Sequence, residues 1–468
     1  MKKKLLVTVF VTVIWCLSGT AVFAQSTEDS QEDESDAAAD TAPAEPQLSF
    51  SGNAKTETGL YVRSGDNAGH FSIAKETLTG TVDASTDKGK VYITGNVFYD
   101  AIKAGKTGEE SASDGLGADV KEAWYSLNSD LGTSGLTAGI KIGRQITGWG
   151  KADVIRITDV LCPQDLTTLN AANYSESRIG VDACKINLSG TYFSADAYWI
   201  PVFRPSVLPL ENWNPLRRTI VPSSTSFSGV TIPVNVGQIE KPDAKLANCG
   251  YAGRLSFWFP AADFSLYGFY GYDDSPITSY TISYDSSDNP TGVTVDGKYY
   301  KYGMTGLDAA IPVKQFVLRV ESAVFMDRAL ARKPEKAALE QVSYYRKNRI
   351  MALGGIDWIK DEWTVTAQCF DDVVLDYDDT LDRHEHEPGS TLRIMRTFLS
   401  ETLTLTFDSA INWSEYDSFI SLSAEYAVND QLTLGIEGDG YIEGNDDYST
   451  YGKYKDFSSV SFKGIYRF

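Results

Sequence analysis

From residue 47 onward the chain alternates: apolar and polar side chains exchange places every residue over stretches of about ten, with turn residues between them. In TLTLTFDSAINW, Leu403, Leu405, Phe407, Ile411 and Trp413 share one face, and Thr402, Thr404, Thr406, Asp408 and Asn412 share the other. QLTLGIEGDGYI sets Leu432, Leu434, Ile436 and Ile442 against Thr433, Glu437, Asp439 and Tyr441. KQFVLRVESAVF sets Phe316, Leu318, Val320 and Val324 against Arg319 and Glu321. Successive side chains of a strand point to opposite faces, so a period of two predicts amphipathic β-strands. A soluble sandwich would share that alternation, and the choice rests on what joins the strands.

Strands are predicted near 47–63, 72–84, 89–102, 117–129, 135–146, 177–188, 190–201, 247–259, 263–274, 296–310, 314–326, 349–360, 363–373, 391–399, 402–413, 416–428, 431–443 and 456–468. The connections after even-numbered strands are short (STDKG, SDLGTS, SG, PAAD, PVK, DE, SE, ND), and most of the others are long and polar. Short turns on one side and long loops on the other are the pattern of an antiparallel transmembrane β-barrel, here of about 18 strands. Boundary shifts leave 14 or 16 strands open, and 278–300 has room for an extra hairpin. Both termini then fall on the short-turn side, which in an exported barrel is periplasmic. No run of ~20 apolar residues follows the first 24 residues, so spanning helices are not expected.

In such a barrel the apolar phase meets lipid and the polar phase faces inward. Glu122, Lys141, Arg319, Glu321, Asp408, Glu425, Glu437, Asp439 and Lys463 are therefore expected to line the lumen. Both signs are present, which implies a wet interior, and a barrel of this size encloses an aqueous channel unless something plugs it. Aromatic residues are abundant, with 26 Tyr, 21 Phe and 9 Trp, as girdles at two membrane interfaces require. The chain stops on FSSVSFKGIYRF, with Val460, Phe462, Tyr466 and Phe468 on one face. This ending resembles the assembly signal of bacterial outer-membrane barrels, which implies that Tyr466 and Phe468 address the barrel-assembly machinery.

The first 24 residues read as a secretory signal: Lys2, Lys3 and Lys4, an apolar run from Leu5 to Trp15, then Val22-Phe23-Ala24. Cys16 lies in this segment without a lipoprotein box, so no lipid anchor is expected. Residues 25–46 are acidic and rich in Ala, Ser and Pro, the composition of a disordered leader. The net charge of −21 argues against non-specific nucleic-acid binding, which needs basic surface. The implied surroundings are outer-membrane lipid and lipopolysaccharide. Beyond the signal, Cys162, Cys184, Cys249 and Cys369 match no zinc spacing. A Cys162–Cys249 bridge and four unpaired thiols both remain open.

One long connection stands apart: GRQITGWGKADVIRITDVLCPQD, Gly143 to Asp165, which continues to Ser177. Strict alternation points Arg144 at lipid, where it would snorkel. A bulge at Gly143 would instead turn it inward, the reading preferred here. Beyond it Trp149 stands between two glycines and Pro163 fixes the chain before Asp165. A loop of this length over a wide barrel either caps the mouth or folds into the pore. If it constricts the pore, Arg144, Gln145, Trp149, Asp153, Arg156, Asp159, Pro163 and Asp165 are its candidate residues. The plain alternative is an ordinary surface loop.

GRQITGWGKAD…ITDVLCPQDL resembles the hallmark of a large family of Gram-negative outer-membrane barrels, related in outlook to alginate-export channels. Its members carry Gly-Arg-Gln, Trp-Gly and a later Asn-Pro-x-Asp; here Cys162 stands where the family has Asn. YWIPVFRPSVLP (198–209) and YAGRLSFWFPAADFSLYGFYGYDDSP (251–276) are similar to two further family stretches. The resemblance implies a single-chain barrel with outer-membrane transport as its role, and no substrate or cofactor. The motif equally fits a folding element that pins the loop inside the barrel.

No nucleophile elbow or His-based triad spacing is visible, so no enzyme activity is expected. The HEH of DYDDTLDRHEHEPGS places His384 and His386 near Asp379 and Asp382, a possible metal site for which a solvated acidic loop is the plainer reading. GYDDSP and EGNDDYSTY offer carboxylates without a complete calcium-loop pattern. DRALARKPEKAALEQVSYYRKN is basic and helix-like over Ala329 to Tyr344. Two readings follow: a passive channel for small polar or amphipathic solutes, narrowed by the loop after strand 5, or a structural or adhesive barrel with acidic surface loops and a plugged lumen.

Overall fold

A computed structural model describes residues 47–87, 89–105, 114–169, 174–227, 229–445 and 449–468. The signal peptide and acidic leader expected over 1–46 lie outside the described residues. In chain order the strands are β1 (Gln47–Tyr61), β2 (Phe71–Thr86), β3 (Gly89–Asp100), β4 (Leu116–Asp130), β5 (Thr137–Gln145), β6 (Val181–Gly190) and β7 (Phe193–Ile200). There follow β8 (Ser224–Phe227), β9 (Val230–Glu240), β10 (Gly250–Phe259), β11 (Ala262–Tyr272), β12 (Ile277–Tyr284), β13 (Pro290–Lys298), β14 (Lys301–Val313) and β15 (Phe316–Ala331). The last are β16 (Tyr344–Lys360), β17 (Trp363–Val374), β18 (Gly389–Phe398), β19 (Leu403–Asn412), β20 (Asp417–Ala427), β21 (Leu432–Ile442) and β22 (Ser459–Arg467).

Eighteen of these form one antiparallel sheet in which each strand pairs with the next, omitting β8, β9, β12 and β13. The sheet closes on itself where β1 pairs with β22, from Asn53↔Arg467 to Tyr61↔Ser459. Gly52 and Phe468 then exchange two backbone hydrogen bonds, at 2.9 and 3.0 Å. Closure leaves no free edge, which lets every backbone group in the wall find a partner without water. All eighteen expected barrel strands form. No helix among the described residues is long and apolar enough to cross a membrane.

The alternation sorts the wall as its period requires. Ile142, Ile186 and Ile436 are 52, 58 and 54% exposed on the outside, as are Leu405, Leu422, Val460 and Phe462. Tyr198, Tyr267, Met304, Phe325, Phe419 and Tyr441 point inward and are buried. A closed sheet with an apolar outside is the transmembrane type of barrel.

Short turns gather on one rim, with Asp361-Glu362 between β16 and β17 as an example. The other rim carries the long connections, except that β19 and β20 are joined by only 413–416. The chain starts its first strand and ends its last at the short-turn rim. Room for a hairpin in 278–300 is used by β12 and β13, yet they stay outside the barrel. With β8 and β9 they build a small rim sheet in which β9 and β13 run parallel. Val221, Ile232, Val234, Val293 and Val295 form its own core. The helix expected over 329–344 covers only Pro334–Glu340, because β15 and β16 extend past the wall and pair there through Ala331↔Tyr344.

Candidate functional site

The connection from β5 to β6, residues 146–180, turns into the barrel. Trp149 is 4% exposed and packs with Ile157 and Leu161 against the inner faces of Tyr198, Tyr267, Met304 and Phe325. Its ring meets Tyr198 edge-on at 6.0 Å and Tyr267 at 5.0 Å. A surface loop would have no reason to bury an indole this way; here the loop supplies part of the barrel's only large apolar filling among the described residues.

What holds the loop across the interior is a single carboxylate. Glu321 stands on β15, six strands round the sheet from β5, and is 1% exposed. It accepts from the backbone N–H groups of Lys151 (2.6 Å), Ala152 (2.8 Å) and Thr158 (2.8 Å), and from the Thr158 hydroxyl (2.8 Å). A buried carboxylate surrounded by donors satisfies both itself and loop backbone that has no strand partner. Gly150 makes room for it. Its φ is +85°, and a Cβ there would lie 2.4 Å from a Glu321 oxygen. The Gly150 N–H reaches the Tyr267 hydroxyl at 3.3 Å, and that hydroxyl donates to buried Asp308.

Beside the hub, Arg319 donates to the Lys151 carbonyl (3.1 Å) and to Asp153 (3.2 Å), and is backed by buried Asp357 at 2.6 Å. Gln368 on β17 takes the Asp153 N–H at 3.3 Å. The loop also binds itself. Arg156 donates to the carbonyls of Asp159 (3.0 Å) and Cys162 (2.8 Å), to Gln164 (3.2 Å) and to Asp274 (3.1 Å). Burial works against the Arg156 charge, but the Asp274 and Asp159 carboxylates outweigh it and raise the guanidinium above its ordinary range. Asp159 pairs with Arg178 at 2.8 Å and accepts from the Trp149 N–H at 3.2 Å. Cys162, the departure from the family pattern, accepts from the Thr147 N–H at 3.3 Å, and burial pushes its thiol up to about 12.

The three family-like stretches meet at this loop. Asp165 bridges Val207, the Gln164 N–H reaches the Ser206 hydroxyl (3.0 Å), and Asp274 holds Arg156. Tyr198 and Tyr267 clasp Trp149. The motif is a docking device written in three pieces.

Several expected positions change meaning. Arg144 does not turn inward. Pairing runs without a shift through Gly143, so Arg144 shares the outer face with Ile142 and binds Asp182 bidentately at 3.0 and 3.2 Å. The matched carboxylate supplies what the bulge was invoked to provide. Gln145 does point inward, donating to the Ala183 carbonyl at 3.2 Å. Asp159, 2% exposed, is spent on the loop's own fold, and Pro163 is buried, with its carbonyl accepting from Ile179 at 2.8 Å. Asp165 is exposed and caps Thr167 at 3.0 Å. Glu321 and Arg319 face the interior but lie under the loop instead of against open lumen.

Away from the apolar cluster around Trp149 the inner wall is polar. Arg393 pairs with Asp408 (2.6 Å), Lys463 with Glu425 (2.5 Å), Lys55 with Glu57 (2.9 Å) and Lys90 with Asp83 (3.0 Å). Lys141 sits 4.2 Å over the Trp124 ring, and Glu122 accepts from the Ile146 N–H at 2.8 Å. Glu437 and Asp439 follow on β21. The far end of the loop comes to this wall: Glu176 lies within charge–charge range of Glu437 and Lys463. Glu176, Gln368, Tyr267 and Asp308 were not singled out from sequence. Tyr267 at least lay inside a motif stretch; the others carried no signal.

The histidines separate. His384 pairs with Glu415 and His386 with Asp371 (2.9 Å), on different loops and strands. Asp273 and Asp274 of the GYDDSP stretch bind Arg328 and Arg156. Among the described residues no group of three or more His, Cys, Asp or Glu is arranged to hold a metal. All four described cysteines are free thiols.

Several solved structures are similar in outline. A BenF-like porin from Pseudomonas fluorescens Pf-5 matches at 9% identity and TM-score 0.49, over 90% of this chain and 98% of that one. Pseudomonas aeruginosa OccK2 (OpdF) matches at 10% identity and TM-score 0.47, over 90 and 97%. The outer membrane channel DcaP of Acinetobacter baumannii matches at 9% identity and TM-score 0.42, over 90 and 97%. No functionally curated protein matches the chain in sequence. A family model described as "Protein of unknown function (DUF1302)" matches residues 17–414, most of the length, and the chain belongs to that family.

Proposed function

We propose that the protein is an outer-membrane channel for small polar or amphipathic solutes. In this reading the long-loop rim faces outward and both termini face the periplasm. The observation that carries it is the loop pinned by Glu321: it lies inside an 18-strand barrel, fastened to a strand six places round the sheet from where it leaves the wall. A barrel this wide is a water-filled hole when empty, and an inserted loop reduces it to an eyelet between loop and wall. Charges of both signs on that wall suit hydrated solutes. Tyr466 and Phe468 would address the assembly machinery, after export by the N-terminal signal.

A second reading has its own observation. The apolar cluster around Trp149, Ile157 and Leu161 fills much of the interior, as a plug would. Single-channel recording of the refolded chain in planar bilayers separates the two. Stepwise current, smaller than an unobstructed barrel of this width would pass, supports the channel. A heat-modifiable barrel that passes no current would make the loop a plug and the protein a structural or adhesive barrel.

A further inference from the structure

Outside the wall a row of cross-strand partners runs through Tyr125, Ile142, Cys184, Trp199, Tyr251 and Tyr270, four of the six aromatic. Its tyrosines and Trp199 are exposed on the outer face. Tilted strands carry the row up the wall, and its Trp199 and Tyr270 end lies near the long-loop rim, where aromatics mark the change from lipid tails to headgroups. The next outward pair toward the long-loop rim is Arg144 and Asp182, one repeat beyond Ile142 and Cys184.

Two guanidinium side chains and the backbone of Lys121 meet there around Gly180. The Arg204 guanidinium donates to the Gly180 carbonyl at 2.6 Å. A Cβ on Gly180 would lie 2.9 Å from the Arg144 side chain and 2.5 Å from the Lys121 carbonyl. Lys121 is the unpaired residue of a bulge between β3 and β4, and is exposed. Two carboxylates face the patch: Asp182, taken bidentately by Arg144, and Asp119, which is within charge range of Arg204. Among the described residues, Arg204 makes no ion pair and Lys121 neither ion pair nor side-chain hydrogen bond. Most arginines of this acidic chain are matched to a carboxylate; here three cations face two carboxylates, which leaves one positive charge in excess. Burial first, and then the Arg144 charge, hold the Arg204 guanidinium below its ordinary range, as expected of a cation short of acceptors.

We propose that Lys121 and Arg204, with Arg144 held in place by Asp182, form a docking site for the phosphate of a membrane glycolipid headgroup of the lipid A type. The inference rests on the reading of the barrel as membrane-embedded with its long loops outward. Guanidinium and ammonium groups at the long-loop ends of β5 and β6 stand at the rim, where lipid phosphate lies, and an anion there neutralises like charges that otherwise repel. A free phosphate would satisfy the same chemistry, but Arg144 and Asp182 share the outer face with Ile142 and Lys121 is exposed beside them, so the lipid is the occupant assigned.

The test uses the full refolded chain in nanodiscs with bisphosphorylated lipid A, the retained lipid being counted by native mass spectrometry. Lys121→Glu and Arg204→Glu are expected to lower retained lipid A several-fold, and Lys121→Gln and Arg204→Gln to lower it less. Lys314→Glu, a reversal at the short-turn rim, should leave it unchanged. Dephosphorylated lipid A should be retained weakly by every form. Equal retention by wild type and the reversed variants, or of the dephosphorylated lipid by wild type, overturns the site. Displacement by millimolar inorganic phosphate would assign it to the free ion and overturn the lipid. Heat-modifiable gel mobility is read in parallel: a wild-type chain that forms no barrel in nanodiscs fails the membrane reading itself, a result distinct from a folded barrel that ignores lipid A.

Discussion

At the residue scale the molecule turns on Glu321. Four donors from the loop converge on one buried carboxylate, so deleting it strands three backbone N–H groups in the interior. Glu321→Ala is expected to destabilise the docked loop by about 3 kcal/mol and to raise both the conductance and its noise in planar bilayers. Glu321→Gln keeps the shape but trades an acceptor-only group for one with two N–H donors, which have nothing to meet, and should show a smaller change of the same sign. Gly150→Ala tests the same contact from the loop side, since its methyl would overlap the carboxylate in a backbone conformation alanine resists. A conductance trace identical to wild type from either Glu321→Ala or Gly150→Ala would show that the loop does not depend on the hub. Alternation named Glu321 as inward-facing, and nothing in KQFVLRVESAVF distinguished it from Arg319 two residues earlier. A strand's period gives the face a side chain points to, not what waits there. Arg144 teaches the converse: the period alone was right, and the glycine before it bent no register.

The elements divide by how local their causes are. Barrel strands are legible because each residue's environment, lipid or interior, is fixed by parity, and closure repeats that rule eighteen times. The loop of 146–180 is not, since its fold is decided by Glu321, Tyr267 and Gln368, which come from 117 to 215 residues away in the chain. Removing residues 149–165 is therefore expected to leave the wall intact and heat-modifiable while conductance rises several-fold; an unchanged conductance in a folded barrel would leave the loop as scaffold. On the long-loop rim the connection 375–388 is fastened differently. The Asp371 carboxylate, hydrogen-bonded to His386, raises that imidazole above its ordinary value. A raised histidine stabilises fully below its unfolded pKa of about 6.5, and the contribution fades as pH climbs through the folded value. Hydrogen exchange over 383–388, corrected for intrinsic rate, should be slower at about pH 5.5 than at about pH 8, and His386→Asn should abolish the difference. A pH-independent protection factor in the wild type would remove His386 from the fastening.

At the scale of the whole molecule the seam between β1 and β22 decides whether there is a barrel at all. It joins residues about four hundred positions apart, yet it was foreseeable, because an even strand count and a terminal apolar strand leave the two ends as each other's natural partner. The rim sheet of β8, β9, β12 and β13 was not, since its parallel pairing of β9 with β13 joins two separate loops through five small core side chains. The last strand closes the sheet, and the part in assembly proposed for it separates from closure by experiment. Deleting residues 466–468 removes the pairs from Asn53↔Arg467 through Ala54↔Tyr466 and the Gly52–Phe468 exchange, leaving unpaired backbone on β1 and β21 that lipid cannot satisfy. That truncation should fail to give heat-modifiable barrel both on refolding in detergent and in cells. Phe468→Ala keeps every backbone pair and loses only the ring over Gly52, so it should refold in detergent nearly as wild type while its yield in the outer membrane falls several-fold. Equal loss in both settings would make Phe468 a structural residue of the seam, and equal success in both would leave the ending without a part in assembly.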